Sequence, residues 1–267
     1  MLTHRDADKM QDMATALVTG ASSGIGLAFA RRLAGRGTNL LMVARDADRL
    51  AVAADEITAQ TSVRCDTLSA DLSTWAGVSA VIDTARDHDD LDTIIANAGS
   101  TRAARAGQMS AAEIDRLIAL LGTGVIQLVD GLIGAMIERD RGDVVVVSSI
   151  AAMIPMPKSA VYAAAKAAAT SYARSLHREL ATTDVRVTAV NPGYVRTGLH
   201  EAAGLGHLTT RIPGWLWVEP DDVVDTAERA LHRRRASAVP GRVYRLARPF
   251  LASGPAQATW ARLTRRH

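Results

Sequence analysis

Tyr162 and Lys166 stand four positions apart in Tyr162-Ala-Ala-Ala-Lys166, and a helix over this alanine-rich run sets phenol and ammonium on one face. A free phenol has a pKa of about 10, too high for a base at neutral pH. A cation held beside it favours the phenolate and lowers that value. Ser149, thirteen residues before Tyr162, adds a hydroxyl suited to stabilising an oxygen that gains negative charge. The three side chains together suit proton exchange with the oxygen of a carbonyl/alcohol pair while a hydride moves at its carbon. The lysine is also a local exception, because three lysines (Lys9, Lys158 and Lys166) stand against 28 arginines.

A hydride carrier needs a site of its own. Thr19-Gly20-Ala21-Ser22-Ser23-Gly24-Ile25-Gly26 is a glycine-rich turn directly after an apolar stretch. Glycines here permit a tight turn and let backbone N–H groups approach a pyrophosphate, and a helix starting at the turn adds its N-terminal partial charge. Gly20, Ser22, Ser23, Gly24, Ile25 and Gly26 are therefore candidate cofactor contacts. Ala44-Arg45 ends a second apolar stretch, where nucleotide-binding folds read the adenosine ribose. An acid there would bind a 2′-hydroxyl, whereas arginine suits a 2′-phosphate, so NADP(H) is expected ahead of NAD(H). Against this, Arg45 could simply be exposed with Asp46 capping the next helix, and the charge of Asp46 disfavours a phosphate.

The elements that must position these residues follow from periodicity. Ala14–Thr19, Asn39–Ala44, Val63–Leu68, Leu91–Ala96, Val144–Ser148 and Val185–Val190 read as strands without strict alternation, as in a parallel sheet covered on both faces. Helical patterns fill 25–35, 46–59, 73–87, 110–138 and 158–181, and Pro220 opens a later helix. The expected fold class is α/β: one doubly wound, Rossmann-like domain over 1–267, with a mainly parallel sheet flanked by helices.

Composition sets bounds on the rest. Hydrophobic residues make up 48% of the chain, enough for a sizeable core, while 4% aromatics argue against a base-stacking nucleic-acid surface. Cys65 is the single cysteine, which fits a reducing compartment, and the polar start 1–13 does not read as a secretory signal. A cytoplasmic location is expected. No metal site is expected, since His200 and His207 form the closest histidine pair and have no cysteine nearby. Leu117–Ile137 is apolar over a membrane-spanning length, yet Gln127, Asp130 and four glycines interrupt it. With Ser110 and Glu113 forming a capping box before it, the stretch reads as a helix buried in the core or a subunit interface. Residues 197–218, with Pro213, Trp215 and Trp217, read as a substrate loop or lid, and their apolar side chains suggest an apolar substrate. The stretch 239–267 carries six arginines and no acid; it reads as a solvated basic tail or as a peripheral contact with an anionic membrane.

In order and spacing these motifs resemble the short-chain dehydrogenase/reductase (SDR) family, compact single-domain type, over about Ala14 to Leu231. Thr19–Gly26 is similar to the family's glycine loop. Asp71-Leu72 resembles the acidic pair placed near adenine, and Asn97-Ala98-Gly99 the turn ending the fourth strand. Ser148-Ser149 ends the fifth strand. Asn191-Pro192-Gly193 with Thr197 resembles the loop along the nicotinamide. The resemblance implies that Tyr162 is the acid/base, Lys166 its activator and Ser149 the partner of the substrate oxygen. It further implies cofactor contacts from Asp71, Leu72, Asn97, Ala98, Gly99, Tyr162, Lys166, Pro192, Gly193, Val195 and Thr197. The implied activity is hydride transfer between NAD(P)(H) and an apolar ketone, sterol-like alcohol or 3-oxoacyl chain, by a homodimer or homotetramer. One position departs from the pattern: Leu121 stands where the family usually has an asparagine that helps hold a water connecting the lysine to solvent. Either other groups hold such a water, in space left by Gly122 for example, or the chain is a catalytically impaired NAD(P)-binding sensor or assembly module.

Overall fold

The computed structural model describes residues 14–198 and 212–247. Six apolar stretches become strands: β1 (Thr15–Thr19), β2 (Asn39–Ala44), β3 (Cys65–Ser69), β4 (Leu91–Ala96), β5 (Gly142–Val147) and β6 (Val185–Val190). Three two-residue strands follow: β7 (Tyr194–Val195), β8 (Trp217–Val218) and β9 (Ser237–Ala238). The main sheet runs β3-β2-β1-β4-β5-β6-β9 with every pairing parallel, and β7 and β8 pair beside it. The chain order reverses between β1 and β4, so a crevice opens beyond the carboxyl ends of these two strands.

The helices are α1 (Gly24–Ala34), α2 (Ala47–Gln60), α3 (Trp75–Arg86), α4 (Ala111–Ile118), α5 (Gly124–Glu138), α6 (Ala160–Glu179), α7 (Pro220–His232) and α8 (Arg242–Ala247). They divide the core in two. In β1, Ala16 and Val18 face α1, α2 and α7, while Leu17 faces α3, α5 and α6. In β2, Leu40 and Met42 join the first cluster, and Leu41 and Val43 the second. Apolar residues are needed on both faces, which is why the strands lack polar alternation. Helix starts follow side-chain chemistry: the Asp46 carboxylate accepts from the Arg49 N–H, Thr74 from Gly77, and Ser110 with Glu113 forms the expected capping box.

The structure departs from the sequence expectations in several places, including β5, which begins two residues earlier than expected. β3 begins two residues later than expected; it is the edge strand, half-exposed, and Val63 is buried just ahead of it. The helix expected over 110–138 runs continuously over Ala111–Glu138 but contains a π-helical turn at Ala119–Thr123. A Cβ on Gly124 would lie 2.6 Å from the Ala119 carbonyl and 2.8 Å from that of Leu72, so the bulge fits a close approach that only glycine allows. β7, β8 and β9 are too short to carry a periodic signal. Ala111–Glu138 is long and apolar enough to span a bilayer, but Leu128, Val129, Leu132 and Met136 of α5 are buried in the core, as expected for a core helix. Most of the expected lid, 199–211, lies outside the described residues, as does 248–267 of the basic stretch. The described start of that stretch packs on the domain, with Val239 and Tyr244 buried.

Candidate active site

A cleft of about 510 Å³ opens where the strand order reverses. Its floor is the turn after β1. Gly20 and Gly24 have φ of +67° and +56°, a region L side chains rarely adopt. A Cβ on Gly26 would sit 2.2 Å from the Gly20 carbonyl oxygen, so Gly26 lets α1 close onto the turn from behind the cleft wall. Thr19 locks the turn to its neighbour: its hydroxyl donates to Ile95 O at 3.2 Å and accepts from the N–H groups of Asn97 and Ala98 at 2.9 and 3.0 Å. The Asn97 amide donates back to Thr19 O at 2.9 Å. α1 starts without a side-chain cap from Ser23, unlike α2, α3 and α4, and has no acid in its first turn, unlike α2 and α4. Its first N–H groups and dipole thus meet the cleft uncompensated, an arrangement that fits a pyrophosphate.

Arg45, Asp46 and Arg49 rim the outer end, all exposed. The Asp46 carboxylate is engaged by the Arg49 N–H at 3.0 Å. Asp71 turns aside, accepting from the Ser73 hydroxyl at 2.7 Å and its N–H at 3.0 Å. The Ser73 hydroxyl is the main reason the Asp71 carboxyl lies below its ordinary value; the Ser73 N–H and the charges of Arg45 and Arg116 add to it against opposing desolvation. Leu72 faces the cleft, whereas Asp71 and Gly26 do not line it.

At the inner end the structure brings together Ser149, Tyr162 and Lys166, together with Pro192, Gly193, Val195 and Thr197. Ser149 Oγ accepts from the Ala151 N–H at 3.2 Å, which leaves its own proton to be donated into the cleft. Lys166, one turn from Tyr162 on α6, is 5% exposed, and its Nζ donates to Val147 O at 2.8 Å. Burial pulls its pKa from 10.5 to about 8. The lysine's backbone is held from behind: Ser148 Oγ donates to Lys166 O at 2.9 Å, and the single Thr170 proton is shared between Ser148 Oγ at 2.7 Å and Asn191 Oδ1 at 3.0 Å. Thr170 gives no sequence signal, being one more small residue on an alanine-rich helix. Ser100, Thr101, Leu120, Ile150 and Met156 also line the cleft; Ser100, Thr101 and Met156 sit in loops that carry no periodicity, and Leu120 is one more apolar residue in an unbroken apolar run.

The π-helical turn carries Leu121, which is fully buried, to the same place. A Cβ on Gly99 would lie 3.2 Å from Leu121 Cδ2 and 3.9 Å from Lys166 Nζ, so leucine and lysine flank one glycine. A Cβ on Gly122 would meet Ala165 of α6 only at 3.5–3.8 Å, ordinary contact, so the glycine leaves methyl-sized room beside that helix.

Residues 14–206 match the family model described as short chain dehydrogenase. The chain belongs to the short-chain dehydrogenase family. Its oxidoreductase relatives include UcpA of Escherichia coli K12, 35% identical over 192 residues, covering 70% of this chain and 72% of UcpA. An uncharacterized oxidoreductase of Staphylococcus epidermidis is 30% identical over 192 residues, 72% of this chain and 82% of that one. Among solved structures, a short-chain dehydrogenase from Sphingobium yanoikuyae in complex with NADPH is 31% identical, with a TM-score of 0.82 over 93% of this chain and 95% of that one. A bulky-bulky ketone specific alcohol dehydrogenase from Comamonas testosteroni is 28% identical, with a TM-score of 0.78 over 96% of each chain. The Rossmann-like fold expected from the sequence is thus shared with the family.

Proposed function

We propose that this short-chain dehydrogenase is an NADP(H)-preferring carbonyl reductase, or alcohol dehydrogenase in reverse, for apolar ketones. The observation that carries the reading is the convergence of Ser149, Tyr162 and Lys166 at the inner end of the cleft whose floor is the glycine turn. Bound dinucleotide would supply or accept the hydride at the substrate carbon. Gly20–Ile25 and the start of α1 would hold its pyrophosphate, and Asn97–Gly99 with Pro192–Thr197 would border its other end.

In reduction, Tyr162 donates a proton to the substrate oxygen as negative charge builds there. Ser149, its oxygen fixed by Ala151, donates a hydrogen bond to the same oxygen. Lys166, while protonated, stabilises the phenolate left on Tyr162. In oxidation the same groups run in reverse. Ile150, Met156 and Leu120 give the wall an apolar character that favours hydrophobic ketones over sugars. The solved relative specific for bulky-bulky ketones agrees with that choice.

Support for NADP(H) comes from the rim. Arg45 and Arg49 offer two cations, and Asp46 is engaged as a helix cap. Binding of NADPH by the Sphingobium relative points the same way. A homodimer or homotetramer belongs to the same reading: Ala164, Ala168 and Ser171 give α6 an exposed face of small side chains against which a copy can pack. Light scattering gives the number.

Leu121 favours a second reading, cofactor binding without turnover. One screen separates the two: oxidation of NADPH and NADH, in parallel, against bulky aromatic ketones, medium-chain ketones and small polar sugars. The expected result is turnover of the hydrophobic ketones with NADPH. Tight binding with no hydride transfer to any carbonyl would establish the second reading instead.

A further inference from the structure

Tyr244 reaches from α8 to the back of the Pro192–Thr197 loop and is 1% exposed. A Cβ on Gly193 would fall 2.1 Å from Tyr244 Cζ and 2.4 Å from Cε1, so the phenol end of the ring occupies the space that glycine leaves. Its hydroxyl accepts the Tyr194 N–H at 3.2 Å and donates to Leu216 O at 2.7 Å. Those two partners lie on opposite sides of the 199–211 span, one before it and one after. The same stems meet in the β7–β8 pair, in the Arg196 N–H bond to Val218 O at 3.0 Å, and in the Arg196–Glu219 ion pair at 3.0 Å.

The front of this loop faces the chemistry. Pro192 O accepts the N–H of Ile150, the residue after Ser149, at 2.9 Å. Thr197 lies against the glycine turn, its Cγ2 2.8 Å from where a Gly24 Cβ would be. A shift of Gly193 and Tyr194 would therefore move a wall shared by the Ser149 turn and the pyrophosphate turn. Phenylalanine would fill the same volume, so packing alone does not account for a buried hydroxyl. Two backbone partners from separate segments offset its desolvation. Burial raises the phenol's pKa, so it stays protonated and can donate and accept at once.

We infer that Tyr244 is a positioning residue for the nicotinamide end of the cleft, fixing the Pro192–Thr197 loop from behind and tying together the stems of 199–211. The inference rests on reading the cleft as a nicotinamide dinucleotide site, and its test needs no turnover. Full-length wild type, Tyr244→Phe and Gly193→Ala are titrated calorimetrically with NADPH and with 2′,5′-ADP, which lacks both the nicotinamide and the pyrophosphate. Tyr244→Phe should weaken NADPH by about five-fold, the loss expected for one hydrogen bond, Gly193→Ala, whose Cβ would overlap the ring, by more, and both should leave the fragment within about two-fold. Where ketone reduction is measurable, KM for the ketone should rise more than kcat falls. Equal weakening of both probes, no weakening of either, or a wild type that does not bind NADPH more tightly than the fragment would each overturn the inference. A wild type that binds NADPH but reduces nothing breaks the proposed activity and leaves the role of Tyr244 measurable.

Discussion

The two ends of the cleft carry positive charge in opposite ways. At the outer end Arg45 and Arg49 lie exposed on the rim, where water and salt screen them and each interaction is weak. At the inner end one ammonium, Lys166, is almost wholly buried, and desolvation lowers its pKa to about 8. A buried cation acts on a neighbouring phenol with little screening, at a cost in solvation that the Val147 carbonyl only partly offsets. Arginine suits the first place. It does not suit the second, because its larger, permanently charged group cannot lose its proton when buried. In an arginine-rich chain, this contrast gives a physical reason for the lysine at 166.

The comparison breaks most visibly at Tyr162. Tyr162→Phe removes the proton donor and leaves the cation, so kcat for ketone reduction should fall by about 10²- to 10⁴-fold with NADPH binding nearly unchanged. A smaller loss in a steady-state assay would move the acid role elsewhere. Lys166→Met tests the cost side. The lysine's folded pKa, about 8, lies below its unfolded value of 10.5, so between these values the unfolded state binds the extra proton and stability rises with pH. Below pH 8 the full penalty applies. Lys166→Met should therefore be inactive yet more stable at pH 7 by up to about 3 kcal/mol, less about 1 for the lost hydrogen bond, and that gain should shrink towards pH 10.5. Urea unfolding of both proteins at pH 7 and pH 10 measures it; equal stability increments at the two pH values would mean the lysine is not desolvated.

The inner end was the more legible in sequence. Tyr162 and Lys166 share a helix, so their spacing alone places them on one face, whereas Ser149, two residues beyond the end of β5, stood out through family resemblance. Asn97 and Pro192 came only through family resemblance, since nothing local says that β4 and β6 both flank the cleft. Thr170 and Tyr244 were invisible: each acts across the fold, through contacts 21 and 50 residues distant in sequence. The π-helical turn was hidden by an unbroken apolar run, because periodicity cannot register one inserted residue. Its occupant gives the next prediction. Leu121→Asn puts an amide where the leucine is fully buried, and should cost about 2 kcal/mol in stability while changing kcat no more than two-fold. Activity that appears only in the variant would mean that Leu121 blocks turnover.

The smallest expected effect lies at the rim, and its salt dependence sets it apart from the others. Arg45→Ala removes one exposed cation, worth at most about 1 kcal/mol, or roughly five-fold in affinity, against a 2′-phosphate. NADH, which lacks that phosphate, should bind as before. The Debye length falls from about 30 Å at 0.01 M salt to about 8 Å at 0.15 M, so the gap between wild type and variant should narrow as salt is added. Arg45→Ala/Arg49→Ala should widen it at low salt and close it at high salt. Lys166→Met should show no such trend in its activity loss, since its cation is sheltered from the solvent ions. NADPH and NADH dissociation constants at both salt concentrations decide the matter. A loss for NADPH that persists unchanged in high salt would place Arg45 in a desolvated contact like that of Lys166, and the contrast between the two ends of the cleft would not survive.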